Sequence, residues 1–363
     1  MKIGILSGAV KNSGDFLIVK RSERLLKHCF NNAELVRFCR LFPLDEQIAV
    51  LNDCDFLVLA GGPAYLQNTY PDNIPFVKDL SKIRVPVYTL GLGWFGKNVL
   101  NNTLYESYKF NESTYVFWKW INEYYPLSCR DYYSVKNLKA QSFDNVVMTG
   151  CPAWYNIEYL KSVSENRQEK NKTIEKICIS DPAYKINFNR GEKVYDTFRR
   201  MFPEAKIYFI FHRGIESTEY VSSEKMEATK KYAEMLKVKG AIIKDISCSE
   251  QGFEIYDDCD LHLGFRVHAH IYNISRGNCS ILIEEDARGT GVNDCLGLPG
   301  IRPYDTNNTS DGNVLIDNPK FVEEVKCTIE RILSTDKIEI KQAVERIKTY
   351  FEVMCNYVKG FNV

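Results

Sequence analysis

Short apolar runs alternate with predicted helices along the first half of the chain. The runs at residues 56–60 and 85–90 are almost continuously apolar and are bounded by Gly or Pro, which is typical of parallel strands covered on both faces. Residues 2–6 and 145–148 form similar runs. Residues 15–29 predict a helix after Gly14, with Asp15 in its first turn, where the helix dipole favours an acid.

A second strand–helix series follows a polar stretch. Residues 161–175 contain almost no large apolar side chains and predict a linker. Strands are predicted at residues 176–180, 205–211, 241–246, 261–265 and 280–283, and apolar positions at helical spacing predict helices from residue 320 onward. We therefore expect an α/β fold with two Rossmann-like domains, at residues 1–165 and 170–319, followed by C-terminal helices at 320–363. Two such halves indicate a GT-B-like architecture.

Composition narrows the function classes. The 363 residues include 47 basic and 47 acidic side chains, so no basic excess indicates a nucleic-acid partner. A local basic group at Lys20, Arg21, Arg24 and Lys27 would be the best candidate for membrane attraction, and a solvated helix face is the alternative. No long apolar run indicates a signal peptide or membrane span, so a cytoplasmic protein is expected. The 12 cysteines include no C-x-x-C pair; in a cytoplasmic protein they predict reduced core residues, and no ligand spacing supports a metal site.

The segment at residues 265–291 carries the most chemical information. Arg266 and His268 stand where a predicted strand gives way to a helix that ends at Gly277, and a second strand then leads to acids and Arg288. In open α/β sheets, ligands bind at such strand-to-helix turns. Arginine offers a planar fork for carboxylate or phosphate, and histidine exchanges a proton near neutral pH.

Six blocks in one order resemble the polysaccharide pyruvyltransferase family. They are the R-x-H segment above, N-S-G-D with L-I at residues 12–18, F-L-V-L-A-G-G at 56–62, L-G-L-G at 90–93, S-C-R-D with Ser134 and Leu138 at 128–138, and G-C-P-A at 150–153. Two departures occur: Gly61-Gly62 is followed by Pro63 where the family more often has a third Gly, and Cys151 replaces the family's acid.

The resemblance implies transfer of pyruvate from phosphoenolpyruvate to sugar hydroxyls, forming a pyruvyl ketal during surface polysaccharide biosynthesis. It implies an acceptor side in the first domain and a donor side in the second. Phosphoenolpyruvate would be a co-substrate, with no cofactor, and the acceptor would be a saccharide, lipid-linked, which would bring a cytoplasmic enzyme to the inner face of the membrane. Two alternatives remain: a GT-B glycosyltransferase that uses a nucleotide sugar, and an inactive sugar- or anion-binding protein.

The donor carries a carboxylate and a phosphate, so its site needs cations. The resemblance assigns donor binding to Arg130, Arg266, Val267 and His268, beside helix starts whose N–H groups also favour anions. The alternative for each arginine is a structural ion pair, with Asp131 in the case of Arg130. No metal is chemically required.

Ketal formation also needs an acid to protonate C3 of the donor and a base for the sugar hydroxyls. The resemblance selects His268 as the acid, and His270 is the rival, because residues two apart on a helix point to different faces. Asp15 is the candidate base, and its alternative is a first-turn acid.

The remaining candidates belong to loops at strand ends. Candidate acceptor or loop residues are Asn12, Gly14, Gly61, Gly62, His212 and Arg213. Candidate supporting residues are Ser134, Glu285 and Arg288, and for Glu285 and Arg288 an internal acid–arginine pair is the alternative.

Overall fold

The computed structural model describes residues 1–96, 107–123, 125–162, 173–216, 223–305, 316–335 and 337–361. The chain divides into two compact units. The first contains residues 1–9, 17–157 and 347–363, and the second contains residues 10–16 and 158–346. The loop at residues 10–16 therefore groups with the second unit, although it precedes most of the first in sequence.

The first unit is built on a parallel sheet. Its strands are β1 (Lys2–Ser7), β2 (Glu34–Cys39), β3 (Phe56–Ala60) and β5 (Val87–Leu90), in the order β2-β1-β3-β5. Shorter parallel pairs join β4 (Pro63–Tyr65) to β6 (Gly93–Trp94) and β7 (Leu127–Cys129) to β8 (Val146–Met148). All five residues of β3 are buried, as expected of a central strand covered on both faces.

Helices and the chain's C-terminal end cover this sheet. The helices of the first half are α1 (Ser13–Cys29), α2 (Ile48–Asn52), α3 (Glu112–Asn122), α4 (Tyr132–Lys139) and α5 (Ile157–Ser162). Residues 347–363 group with the first unit, where Phe361 stacks on Tyr88 with ring centroids 3.9 Å apart. This aromatic packing anchors the C-terminal end of the chain on β5.

The second unit contains a six-stranded parallel sheet. Its strands are β9 (Lys176–Ser180), β10 (Lys206–Phe211), β11 (Ile242–Asp245), β12 (Leu261–Gly264), β13 (Ser280–Ile283) and β14 (Gly300–Ile301). Their order is β11-β10-β9-β12-β13-β14, which is the 3-2-1-4-5-6 order of a doubly wound Rossmann sheet. An antiparallel pair, β15 (Tyr304–Asp305) and β16 (Ile316–Asp317), lies outside it.

The helices of the second half are α6 (Phe188–Met201), α7 (Ser223–Val238), α8 (Val267–Ile274), α9 (Ala287–Leu296), α10 (Phe321–Ser334) and α11 (Ile338–Lys359). Apolar side chains of the sheet and of α6, α7 and α10 form one buried core. None of the helices in the described ranges is long and apolar enough to cross a membrane.

Most predicted elements are confirmed. The strands predicted at 56–60, 176–180 and 280–283 have those bounds, and the C-terminal helices are present. Strand β2 was not predicted from the sequence, because its residues are mostly partly exposed and an edge strand lacks the continuous apolar run of a central one.

Three other expectations concern the linker, the basic group of α1 and the C-terminal helices. Residues 163–172 of the predicted linker lie outside the described residues, and residues 161–162 end α5. Arg21 does not belong to a solvated basic face, because it is 4% exposed and donates to the carbonyl of Ala153. The C-terminal helices, predicted as a separate segment, are instead divided between the two units at residue 347.

Candidate active site

The order of the second sheet reverses between β9 and β12, and ligands of doubly wound sheets bind at the carboxyl ends of such strands. Strand β9 ends at Ser180 and β12 ends at Gly264. The residues that follow are Asp181 and, one position beyond Phe265, Arg266. Topology alone therefore brings an acid and the arginine of the R-x-H segment to the sheet's switch point.

Arg266 is the N-cap of α8, and Val267 is its first helical residue. The backbone N–H of Arg266 donates to Ser180 Oγ at 3.1 Å. Gly264 is required here, because a Cβ at that position would lie 2.3 Å from Ser180 Oγ. The turn thus combines the N–H groups of a helix start with a guanidinium, a combination that suits an anion.

Asp181 binds one edge of the Arg266 guanidinium through two parallel hydrogen bonds. Arg266 Nε donates to Asp181 Oδ1 at 2.7 Å and Nη2 donates to Oδ2 at 2.5 Å, while the side chains are 11% and 5% exposed. Burial disfavours the charge of Arg266, but the facing carboxylate outweighs it and raises the pKa of the guanidinium. The structural pair considered as the alternative for Arg266 is therefore present, and it fixes the orientation of the fork.

His268 lies one position after Val267 in the first turn of α8, and it is partly exposed. It packs against the loop at residues 10–16: a Cβ on Gly14 would lie 2.3 Å from His268 Nδ1. Only glycine permits this approach. The loop glycine and the histidine, which the sequence analysis named separately, are therefore neighbours within the second unit.

His270 has a different environment. Its side chain is fully buried, and Nδ1 hydrogen-bonds with Ser280 Oγ at 2.8 Å. Burial lowers the pKa of His270 to about 3. This imidazole is neutral at physiological pH and points into the core, so the geometry favours His268 as the proton-exchanging group.

Asn12 and Asp15 form the rest of the loop. Asn12 Nδ2 donates to Asp15 Oδ2 at 3.2 Å, and Asp15 N donates to Asn12 O at 3.0 Å. Asp15 lies in the first turn of α1, so the structural alternative for this acid is also present. The loop is a compact turn whose carboxylate stands beside the glycine that contacts His268.

His212 holds this loop in place. Ser13 N donates to His212 O at 3.0 Å, and Ser13 Oγ hydrogen-bonds with His212 Nδ1 at 2.8 Å. His212 Nε2 hydrogen-bonds with the hydroxyl of Tyr256 at 2.8 Å. Burial, followed by the charges of nearby Arg266, holds the pKa of His212 well below its usual value. His212 is 1% exposed, so it supports the loop, and the expectation that it faces a ligand is not favoured.

Two further arginines surround the switch point. Desolvation, followed by the charges of Arg266 and Arg288, lowers the pKa of the Arg213 guanidinium. Arg288 forms a two-pronged pair with Asp286, with Nε–Oδ1 at 2.9 Å and Nη2–Oδ2 at 2.6 Å. Asp286 also caps α9. The internal acid–arginine pair considered for this strand end is present.

Glu285 connects this strand end to the loop after β9. Its carboxylate accepts from Ala183 N at 2.8 Å, Tyr184 N at 3.4 Å and Asn187 Nδ2 at 2.6 Å. Burial raises the pKa of Glu285 to about 7, against the opposing effect of these donors. The acid thus secures the loop that begins with Asp181.

Residues that the sequence analysis did not single out complete this region. Asp181, Ser180 and Tyr184 were not among the candidate site residues. Tyr184 donates its hydroxyl to Asp286 at 3.1 Å. A strand-final Ser-Asp pair at a switch point would have been the signal for the first two.

The first unit holds the other candidates. Gly61 and Gly62 have φ angles of +49° and +76°, which favour glycine, and Arg40 Nη1 donates to Gly61 O at 2.8 Å. A Cβ on Gly62 would lie 2.8 Å from Arg40 Nη2. These glycines let the Arg40 side chain pack onto the backbone at the end of β3.

Arg130 is buried, and its guanidinium is bound by an adjacent acid and a backbone carbonyl. Arg130 Nε donates to Asp131 Oδ2 at 3.0 Å and Nη2 donates to Trp94 O at 2.7 Å, and the side chain is 7% exposed. Asp131 caps α4 by accepting from Ser134 N at 2.7 Å and Ser134 Oγ at 2.8 Å. Ser134 Oγ in turn accepts from Trp94 N at 2.8 Å. The R-D-x-x-S block is thus a closed capping network, and the pair expected as the alternative for Arg130 is observed.

The family model for polysaccharide pyruvyl transferase matches residues 12–272, well over half of the chain. The match includes the loop before α1, the R-D-x-x-S block and the R-x-H turn. No curated protein matches the chain in sequence.

Solved structures with the same fold include nucleotide-sugar epimerases. UDP-GlcNAc 2-epimerase from Neisseria meningitidis, bound to UDP-GlcNAc, has a TM-score of 0.55 at 12% identity, over 98% of this chain and 100% of that one. A putative UDP-N-acetylglucosamine 2-epimerase from Listeria monocytogenes has a TM-score of 0.54 at 9% identity, over 93% and 90%. The Methanocaldococcus jannaschii epimerase with UDP-GlcNAc and UDP has a TM-score of 0.52 at 13% identity, over 96% and 100%. At these identities the likeness shows the fold alone: the expected GT-B-like class of two Rossmann-like units is confirmed.

Proposed function

Because the chain belongs to the polysaccharide pyruvyl transferase family, we propose that it transfers pyruvate from phosphoenolpyruvate to two hydroxyls of a sugar. The product is a pyruvyl ketal, formed during assembly of a surface polysaccharide. The observation that carries the proposal is the R-x-H turn at the sheet's switch point, where Arg266, a helix start and His268 occur within three residues.

The donor is an anion at two positions, and the turn supplies matching positive charge. Arg266 is held by Asp181 so that its remaining N–H groups have a fixed direction. The N–H groups at the start of α8, beginning with Val267, add partial positive charge. Arg213 and Arg288 are close enough to Arg266 to interact with it electrostatically. We assign donor binding to this turn.

His268 is the general acid in this scheme. It protonates the C3 methylene of phosphoenolpyruvate, which leaves an oxocarbenium-like C2. A sugar hydroxyl adds to C2 and loses its proton, phosphate leaves with the C2–O bond electrons, and a second hydroxyl closes the ketal as its proton is lost. The helix start disfavours imidazolium, so the bound phosphate must offset that effect for His268 to act.

Asp15 is the proposed base. Its loop contacts His268 through Gly14, which puts the carboxylate in the same region as the acid, and Asn12 steadies it. The acceptor is a saccharide, and a lipid-linked one would bring a cytoplasmic enzyme to the inner face of the membrane. Arg130 is a weaker donor candidate than Arg266, because its guanidinium is bound by the capping residue Asp131 and by the carbonyl of Trp94.

Ligand-dependent melting tests the donor. A ligand that binds the folded state raises Tm by mass action, so phosphoenolpyruvate should raise Tm and UDP-sugars should not. An increase with UDP-sugars alone would support a nucleotide-sugar glycosyltransferase instead. The variant Arg266→Lys is compared with wild type in the same assay. Its matched control is Arg276→Lys, just beyond the C-terminal end of α8.

Turnover separates an enzyme from a binder. Phosphate release from phosphoenolpyruvate should require an acceptor, so a panel of defined glycosides is the decisive screen. A protein whose Tm rises with phosphoenolpyruvate but which releases no phosphate with any glycoside or lipid-linked saccharide would be an anion-binding protein.

A further inference from the structure

Behind the R-x-H turn lies a chain of four buried polar side chains that the proposed chemistry does not use. Ser180, His262 and His270 are 0% exposed and Ser280 is 2% exposed. They come from four different elements: β9, β12, α8 and β13 respectively. His262 and Ser280 are direct partners in the strand register, so their side chains share one face of the sheet.

Hydrogen bonds connect these side chains in sequence. His262 Nε2 lies 3.1 Å from Ser180 Oγ, and His262 Nδ1 lies 2.7 Å from Ser280 Oγ. Ser280 Oγ also lies 2.8 Å from His270 Nδ1. At the other end, Ser180 Oγ accepts the backbone N–H of Arg266 at 3.1 Å. A continuous path therefore runs from the main chain of the turn to the helix that follows it.

The protons in this path are strongly constrained. Burial holds the pKa of His262 well below its usual value and lowers that of His270 to about 3, so each ring is neutral and carries one N–H. Ser280 has one hydroxyl proton, so it donates to one imidazole and accepts from the other. The tautomers of the two histidines are therefore linked.

The far end of the path selects the direction. Among the described residues, His270 Nε2 and Asn293 Oδ1 are both buried without a conventional hydrogen-bond partner, and an interaction with Asn293 acts to raise the His270 pKa against burial. A proton on His270 Nε2 faces this acceptor. Ser280 then donates to His270 Nδ1 and accepts from His262 Nδ1–H. His262 Nε2 accepts from Ser180, whose oxygen remains available to Arg266 N–H.

We propose that Ser180, His262, Ser280 and His270 form a positioning network for the R-x-H turn, with hydrogen bonds running in one direction from Arg266 N–H to His270. The network fixes the main chain at Arg266 and the start of α8, and so the directions of Arg266 and His268. The four residues are positioning residues and do not contact substrate. The kinetic part of the test rests on the proposed function.

Ser280→Ala removes the hydroxyl that both imidazoles share. We expect kcat/KM for phosphoenolpyruvate to fall about ten- to a hundredfold, because displacement of reacting groups by about 1 Å has effects of that size. Ser280→Thr keeps the hydroxyl and should recover most of the activity. The matched control is Ser275→Ala, which removes a buried hydroxyl bonded to Tyr272 O at 2.9 Å just beyond the other end of α8.

Rates are compared at a temperature where all variants are folded. If Ser280→Ala keeps wild-type constants, or if Ser275→Ala loses as much activity for a similar fall in Tm, the positioning role is wrong. Exchange of the Arg266 amide proton provides a readout without substrate: Ser280→Ala should accelerate it and Ser275→Ala should not. Equal exchange in the two variants would overturn the proposal even if the protein proved not to be a pyruvyltransferase.

Nitrogen-15 NMR of the imidazoles tests the direction. His262 should carry its proton on Nδ1 and His270 on Nε2, and both should stay neutral between about pH 5 and pH 8. Opposite tautomers, or a charged ring in this range, would overturn the assigned direction. In Ser280→Ala the preference of His262 for Nδ1–H should disappear, because its acceptor is gone.

Discussion

Arg130 and Arg266 each stand at a helix start, yet their environments differ. Arg130 bonds to its neighbour in sequence, Asp131, and to a backbone carbonyl. Arg266 bonds to Asp181, 85 positions away, and has other arginines within electrostatic range. The first pair closes a local cap, whereas the second orients a guanidinium where positive charge has accumulated. The same local sequence pattern, an arginine before a helix, therefore has two different roles.

Accumulated charge at the Arg266 turn needs a physical reason. Like charges at close range lower the stability of a fold. A protein retains them only where another property, such as ligand binding, benefits. At the turn, Asp181 and Asp286 each pair with one arginine, and the carboxylates of Asp15 and Asp181 also act on Arg213. An anionic ligand would lower the repulsion among the three guanidinium groups further. Arg130 is paired with the adjacent Asp131.

The largest expected effect concerns His268. His268→Gln should lower kcat by about two to four orders of magnitude while donor binding is retained, because glutamine cannot deliver a proton. Phosphate release and donor-dependent Tm shifts measure the two effects. His28→Gln, at an exposed histidine of α1, is the control and should be unaffected. A His268→Gln enzyme with normal turnover would remove the acid from the R-x-H turn.

Arg130→Ala should act on stability. The substitution leaves Asp131 buried with only its Ser134 bonds, and breaking a buried pair in this way costs about 3 kcal/mol, the lower end of the usual range. Chemical denaturation measures the free energy of unfolding. The control is Arg37→Ala, whose pair with Glu23 is on the surface and should be worth less than about 1 kcal/mol.

The same Arg130 variant also tests the comparison directly. Its affinity for phosphoenolpyruvate, measured where it is folded, should change much less than that of an Arg266 variant. If Arg130→Ala loses donor binding without losing stability, the capping interpretation fails and the family-based assignment of Arg130 to the donor is restored.

Arg266→Lys should act on the donor. Lysine keeps the charge but loses the fork that pairs with Asp181 and with an anion. We expect the KM for phosphoenolpyruvate to rise about ten- to a hundredfold, as for the loss of two charge-assisted hydrogen bonds, with a smaller change in stability. Arg276→Lys, paired with Asp257 at 3.4 Å, should leave KM unchanged. A rise in KM that is equal in both variants would mean that the turn does not bind the donor.

Much of the fold and the helix-start positions of both arginine blocks could be predicted from the sequence, because the features that indicate them are local. Continuous apolar runs identified β3, β9 and β13 with their observed bounds, because central parallel strands are buried on both faces. The R-x-H and R-D-x-x-S blocks could likewise be placed at helix starts. Each of these features depends on residues within a few positions of one another.

Long-range partners could not be predicted in this way. Nothing near Arg266 in sequence identifies Asp181, because their pairing depends on the order of the strands. The contact of Gly14 with His268 and the grouping of residues 10–16 with the second unit also depend on tertiary structure. The capping pair of Arg130 involves adjacent residues, and that alternative was available from the sequence.

The smallest expected effect is the contribution of Glu285 to the pH dependence of stability, which tests how far the charged cluster around Arg266 extends. Its pKa is raised to about 7, mainly by burial, so between its ordinary value and pH 7 the folded protein holds a proton that the unfolded chain has lost. Ionisation of Glu285 should therefore lower stability by about 1–2 kcal/mol as pH rises through this window, whereas the buried histidines His212, His262 and His270, whose pKa values are lowered, act in the opposite direction in both wild type and Glu285→Gln. Glu285→Gln cannot ionise, so this part of the pH dependence should disappear. The neighbouring charges Arg266, Asp286 and Arg288 do not titrate in the window: the pKa of Asp286 is lowered, and those of the arginines are raised.

Unfolding free energies at about pH 5 and pH 7.5 measure the difference, and Ser134→Ala in the capping network of Arg130 is the control, since it should lower stability equally at both values. Parallel curves for wild type and Glu285→Gln would show that the charge crowding at the Arg266 turn does not extend to Glu285.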